Sequence, residues 1–219
     1  MLEVELLNTN LQDNMTIIEQ FMTHIIRQYT THFATELKFL ETYTKVPLTA
    51  ELKRAAQGHY PRLDYNRVVK ILHRHQHQFK NQRVFWGMNL EFEHEQFIAR
   101  RVTQQPCFIT NFPKQLKPFY MHTNPDQQTV AACDLITPVI GELVGGSVRE
   151  ANYQVLRQNC QQAGVNTTTL DWYLQLRRTG YAPSSGFGLG FERLIMYLTG
   201  VSNIRDIIAF PRIYHEAGI

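Results

Sequence analysis

The sequence is poor in cysteine. Cys107, Cys133 and Cys160 are odd in number and show no CxxC spacing, so neither a disulfide framework nor a zinc site is expected; buried thiols in a reducing compartment are. Long apolar runs are lacking too, and no stretch approaches the length that spans a bilayer, so no membrane partner is expected. The first residues, Met1-Leu2-Glu3-Val4-Glu5, carry two acids and no basic segment. That argues against a signal peptide and makes the cytoplasm the expected location. Repeats and low-complexity tracts are missing. Charge of one sign is not in large excess: the net charge is +3. Such a balance admits ATP or RNA as a partner and argues for neither.

What is present is enough for a core. With 219 residues, 43% of them hydrophobic, a single domain over residues 1–219 is expected. Residues 2–7 alternate apolar and acidic, which predicts a short strand. Asp13 or Asn14 is placed to cap a helix along which Ile18, Phe21, Met22, Ile25 and Tyr29 share one core-facing side. Residues 41–60, polar and less periodic, with Pro47 and Gly58, read as a loop. Pro61 and Asp64 introduce a second helix that buries Tyr65, Val68, Val69 and Leu72. His73, His75 and His77 alternate, and on a helix only His73 and His77 share a face. With Lys70 and Arg74 beside them they read as a solvated face, not a metal site. A third helix is predicted over 90–104, its start rich in Glu91, Glu93 and Glu95, where the helix dipole favours acids. Strand-like runs follow at 107–110, 119–122, 129–136 and 139–144. Helices resume at 150–163 and 168–178, before a final strand and helix. This order predicts an α+β fold.

Two segments carry chemistry. In Ser185-Gly186-Phe187-Gly188-Leu189-Gly190-Phe191-Glu192-Arg193-Leu194, three alternating glycines give a backbone that can pass close to a flat ligand. Arg193, at a helix start behind that strand, offers a rigid, always charged fork of donors suited to a triphosphate. The plainer reading is a strand-to-helix turn. In the second segment, Asp134 and Glu142 on neighbouring strands can converge on Mg²⁺, which is held by one or two carboxylates plus substrate phosphates. The plainer reading of these two is surface acids. Directly after them, Gly145-Gly146-Ser147-Val148-Arg149-Glu150 lets a substrate approach the backbone.

The run from Ser185 resembles motif 3 of the class II aminoacyl-tRNA synthetases. Residues 199–208 and Phe210-Pro211-Arg212 are similar to the aspartate, asparagine and lysine branch. The segment from Leu143 resembles that branch's GGS-x-R-E element, and Arg-Glu after the GGS favours the asparagine type. Other segments add to the likeness: Pro61-Arg62-Leu63-Asp64-Tyr65, Trp86-Gly87-Met88-Asn89-Leu90 with Glu93-His94-Glu95, Asn111-Phe112-Pro113-Lys114, Lys117-Pro118-Phe119-Tyr120-Met121, and the run Trp172–Arg178. Departures from the family pattern are Asn89 for an acid, Phe112 for tyrosine, Gln175 for aspartate, Ser184 for histidine, Ala209 for proline, and Ile213-Tyr214-His215 for Thr-Pro-Gly.

The resemblance implies an antiparallel sheet flanked by helices and an ATP-dependent ligase of the asparagine–tRNA ligase type that forms an aminoacyl-adenylate. ATP would lie on Gly188, Gly190 and Arg193, with Mg²⁺ on Asp134 and Glu142. The amino acid, asparagine or aspartate, would lie on Gly145, Gly146, Ser147 and Arg149. Glu142 and Arg193 would carry the catalysis. Motif 1, which builds the family's dimer interface, has no counterpart here. Met1–Glu5 looks like the end of the second motif 2 strand, which puts the arginine for the α-phosphate before Met1, and Arg27 is no replacement for it. The N-terminal part of the catalytic domain and the anticodon-reading domain are therefore expected to be missing. Charging of tRNA by this chain alone is not expected; a second polypeptide or non-family dimerisation is. Two other functions remain open: an ammonia-dependent asparagine synthetase without a tRNA requirement, and a non-catalytic paralogue that binds ATP or an amino acid.

Overall fold

Asn10 starts the first helix. Its side-chain oxygen accepts the N–H groups of Gln12 (2.8 Å) and Asp13 (3.0 Å), and Asp13 returns a bond to the Asn10 N–H. The cap is thus Asn10, not Asp13 or Asn14, because the reciprocal pair satisfies donors that the helix itself leaves free. In this computed structural model, which describes residues 1–80 and 83–211, that helix is α1 (Leu11–His32). It buries Met15, Ile18, Met22 and Ile26, with Phe21, Ile25 and Tyr29 packed beside them.

Before α1 comes β1 (Leu2–Leu7), and after it come α2 (Ala34–Thr44) and α3 (Leu48–Ala55). The expected loop over 41–60 is therefore largely helical. Leu48, Leu52 and Ala55 repeat at helical spacing and are fully buried, so tertiary packing supports a helix whose average composition is polar. Pro47 sits at its N-cap, and Gly58 takes a left-handed φ of 75° just beyond its end. Next are β2 (Arg62–Asp64) and α4 (Tyr65–Arg74), capped by Asp64 and burying the predicted Tyr65, Val68, Val69 and Leu72. Because α4 ends at Arg74, His77 falls in a separate turn and shares no helix with His73. The third predicted helix is α5 (Phe92–Phe97), continued by wider turns over Ile98–Thr103.

The remaining elements are β3 (Cys107–Pro113), β4 (Thr129–Thr137), β5 (Gly141–Val148), α6 (Tyr153–Gln162), α7 (Asp171–Arg178), β6 (Ser184–Leu189) and α8 (Phe191–Thr199). The strands form one mixed sheet in the order β1-β6-β5-β4-β3-β2. All neighbours are antiparallel except β2 and β3, which run parallel, so the expected antiparallel sheet carries one parallel edge. Residues 119–122, read as strand-like, make one isolated bridge, Met121 to Arg149, rather than a strand. β5 pairs with β4 only from Ala132 onward, and residues 121–124 fill the space beyond it: the Ala131 N–H donates to the His122 carbonyl, and the His122 N–H donates to the Val148 carbonyl. One core packs α1, α3 and α8 on one face of the sheet; a second packs α4 and residues 97–99 around β3 and β4. A small third cluster, Leu156, Cys160 and Leu174, joins α6 to α7. No described helix is long and apolar enough to cross a membrane.

Candidate active site

Side chains alternate across a strand, so residues two apart share a face. On β5 the face that carries Gly145 also carries Ser147 and leads to Arg149; on β6 it carries Gly186 and Gly188; on β1, Glu3 and Glu5; on β4, Asp134. This face is turned away from α1, and β1 and β4 to β6 form the floor of a cavity of about 750 Å³. Phe119, Tyr120, Trp172 and Tyr173 make its aromatic wall.

Glu142 reaches the same face through an irregularity. Leu135 pairs with Val144, but the next residue, Ile136, pairs with Glu142, so Leu143 is an extra residue and goes into the core. This bulge reverses the alternation and turns the Glu142 carboxylate toward Asp134. A Cβ placed on Gly145 would lie 3.1 Å from Glu142 Oε1 and 3.6 Å from Asp134 Oδ1, so both carboxylates flank that glycine. Lys117 Nζ is 2.6 Å from Asp134 Oδ2 and 3.9 Å above the Phe112 ring. Burial pushes the Asp134 carboxyl above its ordinary value; the Lys117 ammonium pulls it back, and the Glu142 charge adds to the rise.

Arg149 closes the other side. Its Nη2 is 2.5 Å from Glu5 Oε1 and its Nη1 donates to Ser147 Oγ at 2.6 Å, with Tyr120 beneath the guanidinium. Ser147 itself is fully buried, so it reaches the cavity only through Arg149. Asp134, Glu142, Gly145, Gly146, Arg149 and Gly188 therefore line one cavity. Gly190 and Arg193 do not. Gly190 is the N-cap of α8, and the exposed Arg193, in the first turn, donates from Nη1 to the Glu142 carbonyl at 2.7 Å. The glycines also differ in cause. A Cβ on Gly186 would sit 2.5 Å from Glu5 Oε1 and 2.6 Å from the Val4 carbonyl oxygen, so this glycine makes room for β1, not for a ligand.

Lys117, Glu5, Glu95 and the aromatic wall escaped assignment from the sequence. Segments containing them carry the resemblance, but their partners lie far along the chain: Arg149 and Glu5 are 144 residues apart. Glu95 Oε2 accepts the Glu142 N–H at 2.8 Å. Burial pushes Glu95 up to about 7; the bond from Glu142 opposes the rise, and the charges of Glu142 and Asp134 add to it. Among the described residues, no three His, Cys, Asp or Glu form a metal cluster. The Asp134–Glu142 pair nevertheless fits Mg²⁺, which takes few protein ligands and the rest from phosphates and water.

Comparison with known proteins identifies the family and the fold. The family model described as tRNA synthetases class II (D, K and N) matches residues 1–214. The asparagine–tRNA ligase of Ureaplasma parvum is 44% identical over 215 residues, covering 97% of this chain and 47% of the relative. That of Mycoplasmopsis pulmonis is 42% identical over 212 residues, covering 97% of this chain and 47% of the relative. The chain thus spans about half the length of the curated relatives it matches. Among solved structures, asparaginyl-tRNA synthetase from Pyrococcus horikoshii superposes with a TM-score of 0.87 at 30% identity, covering 98% of this chain and 49% of that one. The same enzyme complexed with asparaginyl-adenylate gives 0.85 at 31% identity, with 96% and 46% covered. With the match running from residue 1 to residue 214, the chain belongs to the class II tRNA synthetases of the D, K and N group and is like the asparagine–tRNA ligases within it.

Proposed function

We propose that the cavity binds ATP and asparagine and forms asparaginyl-adenylate, as the first step of an asparagine–tRNA ligase. One observation carries this reading: two carboxylates, Asp134 and Glu142, flank Gly145 on the same sheet face that ends in the Arg149–Glu5 pair. A phosphate-binding corner and a site for a polar amino-acid side chain thus share one glycine-lined floor. A structural neighbour at 31% identity is described with asparaginyl-adenylate.

In the proposed reaction the asparagine carboxylate attacks the α-phosphorus of ATP in line, and pyrophosphate leaves. Catalysis of this kind is positioning plus electrostatic stabilisation. Arg149, fixed by Glu5 and Ser147 and backed by Tyr120, orients the amino-acid side chain. Asp134 and Glu142 would hold Mg²⁺, which supplies charge neutralisation of the phosphates. Arg193 contributes cationic charge at the same corner from the start of α8. Lys117 and Arg149 are the cations that line the cavity among the described residues, and each is already paired with a carboxylate. The α-phosphate therefore calls for a further donor. Among the described residues β1 is the sheet's edge strand, bonded to β6 on one side only, and we assign its open side to a strand bearing that donor.

The test is ATP–pyrophosphate exchange with asparagine and, separately, aspartate, using the chain alone and the chain mixed with a polypeptide matching the remaining half of a relative. Asparagine-dependent exchange in the mixture is expected, at least about a hundredfold above the chain alone if one α-phosphate contact is at stake. Asparagine made from aspartate and ammonia without tRNA would replace this reading by a synthetase. Absence of exchange together with absence of nucleotide binding would overturn it.

A further inference from the structure

Glu142 sits at the bulge of β5, immediately after a turn, where a carboxylate has little to hold its direction. Side chains supply that support on both sides of its peptide unit. Glu95 Oε2 accepts the Glu142 N–H at 2.8 Å, and Arg193 Nη1 donates to the Glu142 carbonyl at 2.7 Å. The helix that carries Glu95 grips the rest of the turn: Gln96 Nε2 donates to the Val139 carbonyl at 3.2 Å, and Arg100 Nε donates to that of Pro138. Residues 92, 95, 96 and 100 recur at helical spacing, so one face meets four residues of the turn in sequence. Gly141 completes the fit. It takes a left-handed φ of 71°, and a Cβ there would run into Glu95 Oε2 and lie 3.0 Å from the Phe92 ring. Only glycine lets the Glu95 carboxylate come that close.

The acceptor oxygen of Glu95, which a glutamine amide would also offer, is what fixes the Glu142 N–H. We infer that Glu95 is a positioning residue: it holds the Glu142 backbone so that the Glu142 carboxylate joins Asp134 in binding the magnesium–phosphate end of ATP. The inference rests on the proposed adenylate site and assigns Glu95 a role within it. Glu95 touches neither nucleotide nor metal; it acts through Glu142, as the supporting partners of metal ligands do.

The experiment is calorimetric titration of the purified chain with ATP over a series of Mg²⁺ concentrations, with Mn²⁺ binding followed by electron paramagnetic resonance as a readout independent of turnover. Glu95→Ala is expected to raise the Mg²⁺ concentration at half-saturation about tenfold, and Glu95→Gln, which keeps the acceptor, less than about twofold. Glu142→Gln should raise it as well, and the double variant E95A/E142Q no further than E142Q alone, because the first residue works through the second. An E95A variant with lowered melting temperature but an unchanged Mg²⁺ midpoint would reduce Glu95 to turn packing and overturn the inference. Additive effects in the double variant would do the same. Should E95A not fold, Glu95→Met keeps the bulk, removes the acceptor and answers the same question. Absence of Mg²⁺-dependent ATP binding by the parent chain would overturn the adenylate-site reading and this inference with it.

Discussion

Gly186→Ala tests whether the glycine strand serves the ligand or the sheet. A Cβ at this position meets Glu5 Oε1 at 2.5 Å, Glu5 Cδ at 2.6 Å and the Val4 carbonyl oxygen at 2.6 Å. The first two contacts are with a side chain that can move, but moving it breaks the Glu5–Arg149 pair. The third is backbone, and relieving it means displacing β1 from β6. Forcing one methyl into a packed contact of this kind costs about 1–3 kcal/mol. Losing the ion pair adds less than about 1 kcal/mol, since Glu5 is largely exposed. A total of about 1–4 kcal/mol lowers the melting temperature of a domain this size by roughly 3–15 °C. Gly188→Ala meets only the flexible Met1 side chain, at 3.0 Å, and Gly190→Ala has nothing closer than 3.4 Å. Both should melt within about 3 °C of the parent, by the same scale. The assay is thermal unfolding followed by circular dichroism on all three variants. A G186A variant that melts with the parent, or a G190A variant that melts lower than G186A, would refute the reasoning.

Lys117→Met leaves the Asp134 carboxylate buried without its cation. A loss of about 3 kcal/mol is expected at pH 8, shrinking toward acid as Asp134 takes up a proton, and urea unfolding at several pH values reads both parts. Glu51 is buried beside Arg54 and Tyr197, and burial raises its carboxyl above the ordinary value. The folded chain therefore keeps the Glu51 proton at pH values where the unfolded chain has released it, so this group's contribution to stability falls as pH rises from the unfolded value through the folded one. Glu51→Gln should accordingly gain in melting temperature relative to the parent between pH 4.5 and pH 8; a constant difference would contradict the assignment. Burial pushes the thiols of Cys107 and Cys133 up to about 12. Neither should react with a chromogenic disulfide reagent at pH 8 until the chain unfolds, and labelling faster than unfolding would show that the core is open.

Much of the fold was legible because it depends on near neighbours in sequence. Helical periodicity marked the buried faces of α1 and α4, and period-two alternation marked β1. Where local signals competed, the reading slipped. Asn10 took the cap from Asp13 because Asp13 was engaged in bonding back to it. The helix α3 was hidden by its polar average, since three buried apolar residues among eight decide its packing.

For the site, the residue types were readable and their arrangement was not. The acids, the glycines, the Arg149 element and the Arg193 helix start announce phosphate and amino-acid chemistry by their kinds and short spacings, and the family likeness rests on them. Tertiary structure alone decided which of them meet. A one-residue bulge at Leu143 turns Glu142 toward Asp134, and strict alternation along β5 would have sent it into the core. Pairing of β1 with β6 brings Glu5 to Arg149 and gives Gly186 a purely steric reason. Lys117, just before the segment that bridges to Arg149, meets Asp134 in the middle of β4, a pairing that no local pattern encodes. Caps and periodicities are set by atoms a few residues apart, so the chain's order contains them. Register, bulges and ion pairs between distant strands are set by how the whole sheet closes, and they exist only once it has.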